Sequence, residues 1–164
     1  MAAFASLWAA SAAALRVASL NLCSDEYALL LARPGEVVSV SRLSHDPAES
    51  VFARRAQGIA SNRGRIEDVV AQRPTLVLTM GGGGRSSGAI ARAMGFEVVE
   101  LAQPASLDAV AANVSRVAVA LGDGHRADPL LARLAALRRS APRRSPAPRG
   151  HDAPQRPSPT GAVH

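Results

Sequence analysis

Residues 16–40 read RVASLNLCSDEYALLLARPGEVVSV, and their pattern decides the fold. Arg16-Val-Ala-Ser-Leu20 is a β-rich run. Ser24-Asp25-Glu26 then supplies a helix cap and an acidic first turn. That helix runs to Ala32, where Arg33-Pro34-Gly35 stops it. Val37-Val-Ser-Val40 is the next β-rich run. A strand, one helix and a second strand predict a parallel pair joined by a crossover.

The same alternation continues along the chain. Asp46-Pro47-Ala48-Glu49 begins a short helix, and residues 58–64 form a loop with a short strand around Ile59. Residues 66–72 read as a helix ended by Pro74. Residues 75–79 are a clear strand, followed by the glycine-rich loop 81–87 and a helix over 87–94 closed by Gly95. Residues 96–101 are a further strand. Ser106 caps a long amphipathic helix to Leu121, and a last helix starts near Arg126 and runs past Leu137. The expected class is α/β: a single Rossmann-like lobe with a mostly parallel sheet. Ligands on such sheets sit outside the carboxyl ends of the strands. The loops of interest are therefore 21–24, 41–47, 61–64, 80–86 and 102–105.

The chain has 164 residues, enough for one domain with a tail. Hydrophobic residues make up 48%, which excludes a wholly disordered chain. A single cysteine excludes an intrachain disulfide framework and a Cys-rich zinc module. Leu22 precedes Cys23 where a lipoprotein cysteine needs a small residue, so Cys23 reads as a small buried thiol after a strand.

The ends differ from the middle. Residues 1–14, MAAFASLWAASAAA, resemble a signal peptide with an A-x-A-like site at Ala10-Ser11-Ala12, which predicts export. This apolar stretch is shorter than the roughly 20 residues of a membrane span. The net charge is +6, and all 19 basic residues are Arg. Residues 138–164 hold six Arg, one acid and six of the 11 prolines, so the basic character belongs to this tail. The tail has no apolar periodicity and is expected to be disordered. An out-of-frame read-through after Leu137, a plain disordered tail and a basic nucleic-acid arm are the competing readings, the first being preferred. No aromatics interleave its Arg residues, which leaves nothing to stack on bases and argues against a nucleic-acid partner.

The motifs favour binding over catalysis. Glycines 81–84 invite a phosphate-cradling reading, and a Rossmann-like nucleotide-using enzyme is one alternative. The spacing fails: Ser86 stands where G-x-G-x-x-G needs glycine, and Ala89-Ile90 replace the Lys-Ser/Thr of a P-loop. A basic-tailed nucleic-acid module is the other alternative. The four histidines form no cluster with metal-ligand spacing. Ser86 and Ser87 lack a G-x-S-x-G elbow, so no nucleophile stands out and no cofactor is implied.

Five segments in order carry a family resemblance. They are residues 16–25 (RVASLNLCSD), 44–47 (SHDP), 61–69 (SNRGRIEDV), 73–78 (RPTLVL) and 93–99 (AMGFEVV). They resemble the ABC-transporter periplasmic substrate-binding proteins for iron-siderophore chelates, haem and cobalamin, with Thr75 where that family usually has Asp. The resemblance covers residues 16–137 and implies only the N-terminal lobe, with the start of the helix that connects two lobes, hence a truncated protein. It implies a non-enzymatic periplasmic protein that holds a small-molecule metal chelate or corrinoid and delivers it to an inner-membrane ABC permease. Groove residues implied on these segments are Asn21, Cys23, His45, Asp46, Asn62 and Arg63, with Arg85 on the glycine loop. Arg63 and Arg85 would fork onto carboxylate, catecholate or phosphate oxygens. Glu67 falls where the family places an exposed acid that pairs with a permease Arg. Tyr27 reads as a core residue inside a helix. Aromatics are few, so the resemblance points to an anionic ferric chelate ahead of a corrinoid.

Overall fold

Alternating apolar residues explain the sheet and the layer on each of its faces. The computed structural model describes residues 14–140, with the side chains of residues 82–86 outside that description. Five strands form it: β1 (Val17–Ser19), β2 (Val37–Ser41), β3 (Ala60–Asn62), β4 (Leu76–Met80) and β5 (Glu97–Leu101). All pairings are parallel and the spatial order is β3-β2-β1-β4-β5. β1 and β4 are the central strands, and both are buried along their length. Strands covered on both faces read as continuous apolar runs, as Leu76-Val-Leu78 does.

Side chains alternate between the two faces. Val17, Leu76, Leu78, Met80 and Leu101 face one layer, built from α1 (Leu22–Leu31), α4 (Leu107–Ala120) and α5 (Asp128–Ser140). Ala18 and Val77 face the other, where Ile66, Val69 and Ala91 pack. Ala91 belongs to α3 (Gly81–Ala93). A short α2 (Ala53–Ala56) closes a smaller cluster of Leu29, Val40 and Ala56. Each fully buried Val, Leu or Ile contributes about 1.5–3 kcal/mol, which makes these two layers the main source of stability.

Several elements differ from the sequence expectation. The cap of α1 is Asn21, whose side chain accepts from the Ser24 amide, so the helix begins two residues before Ser24. Residues 66–72 form two 3-10 turns, Ile66–Asp68 and Val70–Gln72, because Ile66 and Val69 both turn into the core over a short span. Residues 42–45 form another 3-10 turn, and the helix expected at Asp46 starts only at Ala53. The glycine loop is absent: α3 starts at Gly81, directly after β4. Residues 1–13 of the expected signal peptide and residues 141–164 of the expected tail lie outside the described residues. α5 continues to Ser140, past Leu137 as the sequence pattern leads one to expect.

Candidate functional site

The strand order reverses between β1 and β4, which places the switch point of the sheet where those two strands end. α1 starts just after β1 and α3 just after β4, so two helix N-termini flank this point. Their exposed amides favour negative charge. Asn21 ties the two sides together. Its Oδ1 accepts from the Ser24 amide at 2.9 Å while its Nδ2 donates to the Met80 carbonyl at 2.8 Å.

A belt of buried polar groups supports this edge. Asn62 Nδ2 donates to the Ser19 carbonyl at 2.8 Å and to Ser39 Oγ at 2.9 Å, and its Oδ1 accepts from the Gly64 amide at 2.8 Å. Gly64 has φ +83°, and a Cβ there would come within 2.7 Å of the Leu20 carbonyl oxygen, so no other residue fits this turn. Ser87 Oγ donates to the Gly64 carbonyl at 3.0 Å and fastens α3 to the same turn.

Asp25 is the charged member of the belt and is fully buried. Its Oδ2 accepts from the Ser41 amide at 2.9 Å, Ser41 Oγ at 2.5 Å and Ser44 Oγ at 2.7 Å. These bonds hold the end of β2 and the 42–45 turn against α1. Oδ1 has no partner. Burial pushes the Asp25 carboxyl above the usual range, and the serine hydrogen bonds oppose that only in part.

Beside the switch point, the α1–α4 side holds a pocket of about 320 Å³. Cys23, Tyr27, Phe52, Met80, Gln103 and Pro104 line it. Tyr27 is half-buried, and its hydroxyl accepts a long 3.5 Å bond from Asn113 Nδ2, which also donates to the Ala102 carbonyl at 2.8 Å. A second, polar hollow of about 620 Å³ lies at the ends of β4 and β5, lined by Gly81, Arg92, Gln103 and Arg116 among others. The edge thus offers an apolar pocket with two aromatic rings, a polar hollow bearing Arg, and two helix N-termini.

The residues picked from sequence take different places. Asn21, Cys23, His45, Asp46, Asn62 and Arg63 all fall on this edge. Asn62 is buried with all three of its bonds made internally, so it is a brace and is not presented to a ligand. Cys23, expected to be buried, is exposed, because the earlier helix start puts it in the first turn of α1. His45 is half-buried and its Nε2 is a buried atom without a partner. Asp46 is exposed, and its Oδ1 accepts from the Ala48 amide at 2.8 Å. Arg63 is exposed, with its backbone amide fixed by Asp68 Oδ2 at 2.9 Å. Arg85 lies within α3, not on a loop, and its side chain is outside the described residues. Glu67 is exposed on its 3-10 turn, 3.9 Å from Arg65 Nε. Met80, Gln103 and Pro104 lie on the loops of interest at 80–86 and 102–105 without having been singled out, and Tyr27 packs against the core as expected while also lining the pocket. Phe52 and Tyr27 share a pocket, a pairing no local pattern signals. Among the described residues, no three His, Cys, Asp or Glu gather as a metal cluster.

No family profile matches the sequence, and no curated protein matches it. Solved structures do. The periplasmic heme-binding protein RhuT from Roseiflexus sp. RS-1 matches with a TM-score of 0.62 and 29% identity, over 75% of this chain and 47% of that one. A periplasmic heme-binding protein from Pseudomonas aeruginosa matches with a TM-score of 0.57 and 21% identity, over 76% and 44%. The periplasmic vitamin B12-binding protein BtuF of Vibrio cholerae matches with a TM-score of 0.59 and 20% identity, over 76% and 48%. The chain spans about half the length of the solved structures it matches. The fold is that of one lobe of the periplasmic substrate-binding proteins to which the sequence segments pointed.

Proposed function

We propose that this chain is one lobe of a periplasmic binding protein that captures a chelated metal, an iron chelate such as haem or a corrinoid, for an ABC permease. The observation that carries the reading is the pocket at the β1/β4 switch point, in a fold shared with RhuT at 29% identity. The neighbours are named as binding proteins, and the chain's buried polar belt is built for rigidity. Apolar walls with Tyr27 and Phe52 suit the edge of a planar macrocycle. The neighbouring Arg residues and helix N-termini suit its acidic substituents. α5 is read as the start of the inter-lobe helix. The periplasm is where the solved neighbours act, and this chain is assigned there with them.

Haemin titrated into the chain should give a saturable Soret-band shift. Tyr27→Ala should weaken it about tenfold through lost ring contact. Cyanocobalamin and a ferric catecholate serve as competing ligands. No saturable binding of any of the three would overturn the reading, and tight ATP binding in their place would turn it toward the nucleotide alternative.

Delivery is proposed to use Glu67, whose side chain is 56% exposed on its 3-10 turn. Exchanging its charge by Glu67→Arg should leave haemin affinity within about twofold and weaken capture by the cognate permease in nanodiscs about tenfold or more. Unchanged permease capture would remove Glu67 from the docking role.

A further inference from the structure

A further cavity lies at the other end of the sheet. Its volume is about 930 Å³. Arg16, Gly35 and Ile59, which line it, stand just before β1, β2 and β3. In an all-parallel sheet these are the amino ends of the strands. The cavity thus opens at the end of the sheet opposite the loops that follow β1, β2 and β3, with Leu30 bordering both it and the α1–α4 pocket.

Its chemistry is one-sided. Leu29, Val37 and Ile59 supply apolar wall, and the charged lining residues are Arg16, Arg33 and Arg55, with no Asp or Glu. Each guanidinium is anchored by part of its fork. Arg16 Nε and Nη2 donate to the Gln72 carbonyl at 2.9 and 2.5 Å. Arg55 Nη1 donates to the Leu29 carbonyl at 3.0 Å, and its guanidinium carbon lies 5.5 Å from the centre of the Phe52 ring. Arg33 Nη2 meets Asp123 Oδ2 at 3.3 Å. A carbonyl satisfies an N–H but does not neutralise a charge. Among the described residues, neither Arg16 nor Arg55 has a carboxylate within ion-pair distance. Two pre-positioned cations thus stand over an apolar wall with donors to spare.

We propose that this cavity is a second ligand site, for a small organic anion with an apolar body. A carboxylate is drawn to Arg16 and Arg55 while its hydrocarbon lies against Leu29, Val37 and Ile59. The volume is in the range that accommodates drug-sized molecules. The proposal does not rest on the chelate reading, although Leu30 borders both cavities and Arg55 lies over Phe52 of the other pocket.

The test is amide NMR of the full chain titrated with octanoate, with octan-1-ol as the neutral control. Octanoate should shift the amides of Gly35, Gly58 and Ile59 saturably, and octanol should bind about tenfold more weakly. Arg55→Gln should weaken octanoate by about tenfold and leave octanol unchanged. Arg33→Gln, whose exposed ion pair contributes little to folding, should weaken octanoate by about twofold to threefold. Equal affinity for octanol and octanoate would reduce the cavity to an apolar patch and overturn the proposal. So would shifts centred on Asn21 and Gly64, which put the anion in the groove, or no saturation. Shifts that depend on protein concentration without octanoate would assign the cavity to a second copy of the chain instead.

Discussion

Asp25→Ala should destabilise the lobe by about 2–4 kcal/mol in urea unfolding. The substitution strands the Ser41 amide and the Ser41 and Ser44 hydroxyls, all of which now end on Asp25 Oδ2. A buried donor left without an acceptor costs about 1–3 kcal/mol, and hydroxyl rotation recovers part of that. Removing an unpaired buried charge offsets some of the loss, which is why the expected figure is below the simple sum. Asp25→Asn keeps one acceptor oxygen and the shape, so it should cost only about 1–2 kcal/mol. The pH dependence separates charge from shape. Asp25's carboxyl is raised by burial, so its folded form holds a proton more tightly than its unfolded form. Its contribution is therefore fully present below the unfolded pKa and is lost as pH rises through the folded one. Wild type should gain on Asp25→Asn as pH falls from 7 into the carboxyl range. Other carboxyls titrate equally in both proteins and cancel. A gap that stays flat, or that widens toward pH 7, would show that Asp25 is not a buried carboxylate of this kind. Because its partners carry the 42–45 turn, Asp25→Ala should also loosen the loop that presents His45 to the groove edge.

The sheet and the loops at its carboxyl ends were legible in the sequence, and their wiring was not. Short apolar runs spaced by helices fix a parallel α/β sheet, and parallel sheets put ligand loops at one edge; that much follows from residues 16–40 and 75–101. What failed were the local assignments that depend on a distant partner. Asn21 outcompetes Ser24 as cap because its amide also reaches Met80, 59 residues away. Asn62 looked like a ligand contact, yet its bonds to Ser19 and Ser39 consume it. The glycine run looked like a loop because glycine is a poor helix former, yet α3 packs on β4 and β5 and carries the glycines as its first turns. Asp25 read as an acidic first-turn residue. Nothing in its neighbourhood reveals that Ser41 and Ser44 fold back onto it.

Glu36→Ala should cost about 3 kcal/mol of folding stability, the second large effect expected. Glu36 lies just before β2, and Arg126 lies in the 3-10 turn that leads into α5. Arg126 Nη1 donates to Glu36 Oε2 at 2.6 Å and Nη2 to Oε1 at 3.0 Å, a two-pronged fork. The side chains are only 17% and 10% exposed, so screening by water is weak. Breaking a well-buried pair by removing one member costs about 3–5 kcal/mol, and the lower end applies because Asp123 Oδ2, 3.7 Å from Arg126 Nε, remains as a partial counter-charge. Arg126→Ala should cost less, since Glu36 keeps its bond from the Arg33 amide at 2.7 Å. The double variant should fall short of the summed losses by about 2 kcal/mol, the coupling expected of a fork. The sign with pH is opposite to that of Asp25. Arg126's hydrogen bonds hold the Glu36 carboxyl below the usual range, so its contribution is present above the unfolded pKa and lost as pH falls through the folded one. Wild type should hold a constant advantage over Glu36→Gln near neutral pH and lose it in acid. The structural consequence falls on α5, which packs on the core through the partly buried Leu130, Leu131 and Leu134 and has no fully buried residue, so this clamp adds to its anchoring. Amide exchange in α5 should therefore accelerate in Glu36→Ala more than exchange in β4. Uniform acceleration across both would mean that the pair stabilises the lobe as a whole and does not specifically anchor the helix proposed to lead toward a second lobe.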